Sequence, residues 1–343
     1  MMSNMINKLK HTKIWMMLSN HIHVWFFEGK IGYWQFINNR VMKHYYFIKD
    51  NSVTIPSKKE VIVMVDGYAG GQGGLTDRLR GALSVYSLCK EKGWSFKYFF
   101  NYPFNLKDYL LPNYYDWTIN IDKVSRNGEY VKVICLYLMN IIFESRLDKR
   151  IFSHEIEQSS YSQYHIYTSA FFDKEKYPTI FKELFKPTDE LQREIDLNKS
   201  LINSKYISIT FRFQELLGDI KEANECLTLS SEDQKELIRK CKNKLSSFLC
   251  NVKDEYKVLV TSDSTTFLSS VKDIDRVYLV PGKVNHPHFF AEGEKPFMKS
   301  FVDLYMIMGA EEVYLFKTGL MYKSGFPEFA ALLGGKEFYY IQF

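Results

Sequence analysis

VIVMVDGYAGGQGGLTDRLRG, residues 61–81, joins an apolar run of strand length to a glycine-rich loop and the start of a helical pattern. Five glycines fall between Gly70 and Gly81, a density tolerated where the chain turns tightly or approaches another group closely. From Leu75 the apolar residues Leu75, Leu79, Leu83 and Tyr86 recur every three or four positions, which predicts a helix that Gly93 ends. Strand, loop and helix in that order form the opening unit of an α/β layer, with bare helix-start amides where the glycines sit.

The same alternation continues outward. SFKYFF (95–100) and YVKVICLYL (130–138) read as strands, residues 139–175 resist assignment, and a helix is expected from Thr188 to about Ile202. The second half is more regular. KYISITFRF (205–213) is a strand. A helix from Ser231 is introduced by the capping pattern Ser231-x-x-Gln234, with Leu237, Cys241, Leu245 and Phe248 on one face. KVLVT (257–261), RVYLV (276–280), VYLF (313–316) and EFYYIQF (337–343) read as strands. SDSTTFLSSV, FVDLYMIMG and FPEFAALLG supply the helices between them. Repeated strand–helix alternation in two blocks predicts two open parallel sheets covered on both faces, with ligands beyond the carboxyl ends of the strands. The expected division is a basic, aromatic segment 1–55, a first Rossmann-like domain 56–200 and a second 201–343.

Composition narrows the function. Lys and Arg number 45 against 40 Asp and Glu, a net charge of +5 that is too small and too dispersed to argue for nucleic acid as a partner. The five cysteines are scattered with no CxxC spacing, so they predict neither a disulfide framework nor a zinc site; buried apolar roles in a reducing, cytoplasmic setting fit them. Apolar runs near the N-terminus are broken at Ser19, Asn20, His21 and His23, short of a membrane span. Residues 1–47 still mix lysines with Trp15, Trp25, Phe26, Phe27 and Trp34. Two readings stay open for them: peripheral contact with the inner face of a cytoplasmic membrane, or packing on the chain's own domain or in association with another chain.

The glycine loop is neither of two common phosphate loops. Leu75, Thr76 and Asp77 follow Gly74, so the Lys-Ser/Thr of a P-loop is missing. Thr76 stands where a dinucleotide fingerprint starting at Gly71 needs its third small residue, and the next strand lacks the ribose-binding acid. What remains is a helix start with Asp77, Arg78 and Arg80 in its first turns, suited to an anion or a polar oxygen. Asp77 is either an ordinary acid favoured by the helix dipole or a functional group on the cleft floor.

A second constellation follows the strand ISITF. Arg212 ends that strand, where a guanidinium can grip a diphosphate, and Gln214, Glu215, Gly218, Asp219 and Glu222 follow it. The alternative is an Arg–Asp pair that only closes the loop. No clustered acids, histidines or cysteines predict a metal site, so neither metal nor cofactor is expected.

Gly-Gly-Leu-x-Asp-Arg-Leu (73–79), taken together with a strand-terminal Arg212, resembles the fucosyltransferase superfamily, which includes α1,2-, α1,6- and protein O-fucosyltransferases. VTSDS (260–264) is similar to that superfamily's nucleoside segment. Lys299–Asp303 with Ser324-Gly325-Phe326 is similar to its closing motif. The ordered set covers roughly residues 60–340. The resemblance implies the α/β architecture called GT-B, two Rossmann-like domains facing across a cleft. It implies inverting, metal-independent transfer of fucose from GDP-fucose to a glycan acceptor, as in polysaccharide biosynthesis. Gly73, Gly74, Arg78, Arg212, Ser262, Asp263, Ser324, Gly325 and Phe326 would hold the donor, and the first domain would hold the acceptor.

There are departures. Thr210 replaces the expected histidine of an HxR motif, and the loop after Arg212 is long, which points to a distant, bacterial branch. His286 and His288 either line the donor side or belong to a surface loop. For the base, Asp219 ranks first because Gly218 can turn it toward the sugar, and Asp77 across the cleft is the alternative. Glu215 would be weakened by Arg212, and Glu222 is read as solvated. Two other functions stay in view: a GT-B transferase using another nucleotide sugar, and a non-catalytic nucleotide- or glycan-binding protein of the same fold.

Overall fold

The structure, a computed structural model, describes residues 59–68, 73–136, 144–219, 227–282, 285 and 294–343. The N-terminal segment with its membrane-surface reading lies outside the described residues, as do Gly71, Glu222, Cys226, His286 and His288.

Each half is built on a parallel sheet. In the first, β1 (Glu60–Val65) leads through α1 (Leu75–Lys92) to β2 (Ser95–Phe100). The chain then runs through β3 (Leu110–Pro112) to β4 (Val131–Leu136), α2 (Glu144–Glu157) and β5 (Gln163–Thr168). The strand order is β2-β1-β5-β4, all parallel. Strand alternation sends Val61, Val63 and Val65 toward α1, while Ile62 and Met64 join Val131, Val133, Cys135 and Tyr167 on the other face. Gly93 ends α1 as expected, in the left-handed region with its N–H on the Cys89 carbonyl.

β5 and α2 occupy the stretch that the sequence left unassigned. β5 lies between β1 and β4, with all six residues buried. Its apolar pattern is broken by Gln163 and His165. Inside the fold these satisfy each other at 3.2 Å, and Gln163 accepts the Ser125 N–H at 2.9 Å. Burial holds His165 well below the usual histidine range, so its ring is neutral.

α3 (Tyr177–Leu184), β6 (Phe185–Pro187) and α4 (Asp189–Ile202) lead out of this half; α4 is capped by Thr188, and β6 pairs antiparallel with β3. The second half runs β7 (Tyr206–Phe211), α5 (Ser231–Leu249), β8 (Lys257–Ser262), α6 (Thr265–Val271) and β9 (Val277–Tyr278). It continues with α7 (Met298–Gly309), β10 (Glu312–Lys317), α8 (Phe326–Gly334) and β11 (Glu337–Gln342). Its parallel order is β11-β10-β7-β8-β9. The chain reverses its direction of winding between β7 and β10, which opens a crevice beyond their carboxyl ends.

Two local expectations are corrected. The cap of α5 is Ser230, whose hydroxyl accepts the Asp233 N–H at 3.2 Å, while Gln234 reaches back to the Leu229 carbonyl. RVYLV contracts to a two-residue strand at the sheet edge.

Apolar residues of α5 and α6 cover one face of the second sheet, and α7 and α8 cover the other. The α7–α8 layer is continuous with the core of the first half. Tyr109 stacks on Phe301 at 4.5 Å, and Phe104 meets Phe297 in a tilted contact at 4.6 Å. Such a shared aromatic core makes the two halves one packed body where they meet, rather than beads on a linker. Among the described residues no helix is long and apolar enough to cross a membrane.

Candidate active site

A cavity of about 400 Å³ lies between the two sheets, at the carboxyl ends of their strands. The first half contributes Gly74 to Asp77 and Arg80. The second contributes the ends of β7 and β8, part of α7 and the loop into α8.

Arg212 follows directly on β7, at the switch point. Its guanidinium meets Asp263 at 2.9 Å, and the side chain is 14% exposed, enough to line the cavity. Asp263 follows β8 and accepts the amides of Phe213 at 2.8 Å and Gln214 at 2.6 Å. Gln214 turns the chain there through the left-handed region, φ 55°. Burial pushes the Asp263 carboxyl above its usual range, and the guanidinium and amides oppose that push. Arg212 therefore closes the loop through Asp263 and also lines the cavity.

The neighbouring polar groups are also fixed. Thr210, at the position where a histidine was expected, is buried against Thr261 with hydroxyls 2.8 Å apart. Ser262 accepts the Ser264 N–H at 3.1 Å. The Tyr322 N–H binds the Arg212 carbonyl at 3.0 Å, tying the loop before α8 to the strand end. α8 begins at Gly325 with no side-chain cap closing its first turn, although Ser324 accepts the Phe326 N–H at 3.2 Å. That helix start borders the cavity and offers the positive end of its dipole to an anion. Deeper in the wall Lys299 and Asp303 form a buried pair at 2.8 Å. Burial raises the Asp303 carboxyl and the ammonium opposes it.

On the opposite wall Asp77 caps its own helix. One oxygen accepts the Gly74 N–H at 2.9 Å and the other meets Arg80 at 2.8 Å. Gly73 has φ 67°, and a Cβ there would stand 2.1 Å from the Asp77 carboxylate, so glycine is needed for this turn. Gly81 answers a different need: a Cβ would come within 2.5 Å of the Thr168 carbonyl, so this glycine lets α1 press against the end of β5.

Of the residues named from sequence, Gly74, Asp77, Arg212, Ser262, Asp263, Ser324, Gly325 and Phe326 line the cavity. Gly73 shapes the turn without lining it. Arg78 is corrected: it is buried in the first half, donates to the Tyr102 carbonyl at 3.2 Å and lies over Phe100, so Arg80 is the arginine that reaches the cleft. The helical period explains the exchange, since Arg78 shares the inner side of α1 with Leu75 and Leu79. Glu215 is in the turn after Phe213, outside the lining.

Asp219, ranked first as base, is also outside the lining. It caps α6, accepting from Ser264 Oγ, from the Thr265 and Thr266 hydroxyls at 2.9 and 2.7 Å, and from the Thr266 N–H at 3.2 Å. Sequence reasoning gave no role to Asn285, Tyr322 or Lys323, which line the cavity, and it named Gln214, Ser300 and Asp303 only as members of a loop or motif. The motif reading named both Lys299 and Asp303, and their i,i+4 spacing is the signal that they pair with each other.

No protein-family model matches the chain, and no curated protein matches it in sequence. Solved structures do. A FUT1 mutant of Arabidopsis thaliana in complex with GDP matches with a TM-score of 0.53 at 11% identity, over 89% of this chain and 74% of that one. The fucosyltransferase NodZ from Bradyrhizobium matches at 0.51 and 14% identity, over 81% of this chain and 94% of that one. NodZ α-1,6-fucosyltransferase soaked with GDP-fucose matches at 0.50 and 14%, over 81% and 93%. The chain has the GT-B fold of fucosyltransferase structures.

Proposed function

We propose that the protein is an inverting glycosyltransferase that moves fucose from GDP-fucose to a glycan. The observation that carries this reading is the placement of Arg212. It stands at the switch point of the second sheet, beside the start of α8, and faces a first-half helix start across the cavity. Guanidinium and helix-start amides together bind diphosphate oxygens and stabilise the charge that develops when the leaving group departs. The choice of GDP and fucose rests on the sequence motifs and on the GDP and GDP-fucose of the structures that share the fold.

In this reading Arg212, Ser324 and the amides around Gly325 and Phe326 hold the diphosphate, with Ser262 and Asp263 supporting the nucleoside side. Asp263 also holds Arg212 in place. Gly74 and Arg80 approach the sugar and phosphates from the first half. An acceptor hydroxyl oxygen attacks the anomeric carbon as the bond to the phosphate oxygen breaks, and the electron pair leaves with the diphosphate. Asp77 takes the hydroxyl proton, because it is the first-half carboxylate in the cleft wall, whereas Asp219 lies outside the lining.

We propose metal independence on the same chemistry. The three carboxylates of the lining, Asp77, Asp263 and Asp303, are each ion-paired, with Arg80, Arg212 and Lys299 respectively. Titrating wild-type protein and Arg212→Ala with GDP and GDP-fucose tests the reading. The wild type should bind both, and the variant should lose that binding while keeping the wild-type circular dichroism. Equal affinity in the two proteins contradicts it.

A further inference from the structure

Exposed rings cluster at the carboxyl edge of the first sheet. Tyr102 follows β2 by two residues, while Tyr68 and Phe171 follow β1 and β5 by three; they are 45%, 45% and 36% exposed. Because the strand order is β2-β1-β5, the three rings form a row along the rim. Rings this exposed, placed by three adjacent strands, need a reason beyond packing.

The row is held rigidly from below. Tyr102 lies on the backbone of Gly67, where a Cβ would stand 3.1 Å from its ring atoms, and Gly67 has φ 81°. Tyr68 lies over Arg126 at 4.8 Å, and that guanidinium is fixed by Asp66 at 2.8 Å. Asp66 also accepts from Tyr167 at 2.9 Å. Phe171 lies over Arg80 at 5.6 Å, and Arg80 lines the cavity and pairs with Asp77. The row is thus continuous with the proposed transfer site. The two arginines that touch the rings each have a carboxylate partner, so this face offers ring surfaces and balanced polar groups rather than net charge.

We propose that Tyr68, Tyr102 and Phe171 form the acceptor platform, which holds a neutral oligosaccharide of more than one sugar by stacking pyranose rings on the aromatic faces. This rests on the glycosyltransferase reading and adds to it the class of acceptor and the residues that select it. Preset rings suit the purpose because they give a large contact area with little loss of side-chain freedom.

The test uses the full chain on an array of neutral and anionic oligosaccharides with GDP present, beside calorimetric titration of GDP alone. The wild type should retain neutral oligosaccharides. Tyr68→Ala and Tyr102→Ala should weaken that retention about tenfold or more. Tyr68→Phe and Tyr102→Phe should stay within about twofold, since stacking needs the ring and not the hydroxyl. All four variants should bind GDP as the wild type does. The platform is overturned if the wild type retains no neutral oligosaccharide or prefers anionic ones, if the alanine variants retain the same glycans equally, or if they lose GDP instead. Tyrosine-dependent retention by a wild type that binds no GDP supports the platform and defeats the donor reading alone.

Discussion

The two sheets share a construction and differ at their strand ends. Beyond β7 and β8 stand Arg212, Asp263 and a set of hydroxyls, cross-linked by short hydrogen bonds and ion pairs. Beyond β1, β2 and β5 stand half-exposed rings seated on glycine backbone or on an arginine. The parallel sheet delivers side chains to one edge in both cases; the residues placed there decide what the edge can hold. One edge is suited to an anion whose charge grows during reaction, the other to a neutral ring. A cleft between them can bring two unlike substrates together.

The sharpest break of that comparison is Arg212→Ala. Turnover should fall by roughly 100-fold or more, as when a preorganised donor to a developing anion is removed. A rate near wild type would make the two edges equivalent and the comparison empty. Next comes the proton. Asp77→Asn keeps an oxygen for the Gly74 N–H and removes the charge, so turnover should drop about 100-fold with donor affinity retained. Asp219→Ala should instead lower stability by about 1 kcal/mol through the lost bond to the Thr266 N–H in the first turn of α6 and leave turnover nearly intact. Opposite behaviour of this pair in single-turnover assays would restore Asp219 as the base.

A fourth variant probes how the first edge is built. Gly81→Ala should destabilise the fold by about 1–3 kcal/mol, because the new methyl meets the Thr168 carbonyl at 2.5 Å. Chemical denaturation measures it, and an unchanged midpoint would show that α1 can back away from β5. The smallest effect is expected from a chelator: transferase activity should be unchanged, and loss restored by magnesium or manganese would contradict the proposal on metal.

Much of this architecture could be read in the sequence, and the failures have physical causes. Strand and helix limits in the second half were readable because β7, β8, β10 and α8 carry continuous apolar runs bounded by turn residues. β5 was not, because Gln163 and His165 face the interior and are satisfied only by partners distant in sequence or visible once the sheet is formed. In the candidate site, Arg212, Ser262, Asp263 and Ser324 were readable as residues at strand ends and at a helix start. Arg78 and Arg80 were confused because motif spacing does not say which face of α1 looks inward. The surroundings of Asp219 were hidden for a related reason: nothing local announces that its hydrogen-bond donors lie at Ser264 to Thr266, more than forty residues on. The aromatic row was invisible because it joins three loops that meet only through strand order.

The central claim is that the second sheet's edge, and not the first's, holds the nucleotide diphosphate. A crystal structure of the full chain with GDP tests it most directly. The account predicts diphosphate oxygens within hydrogen-bond distance of the Arg212 guanidinium and of the amides at the start of α8. A diphosphate resting on the carboxyl ends of β1, β2 and β5, away from Arg212, would contradict it.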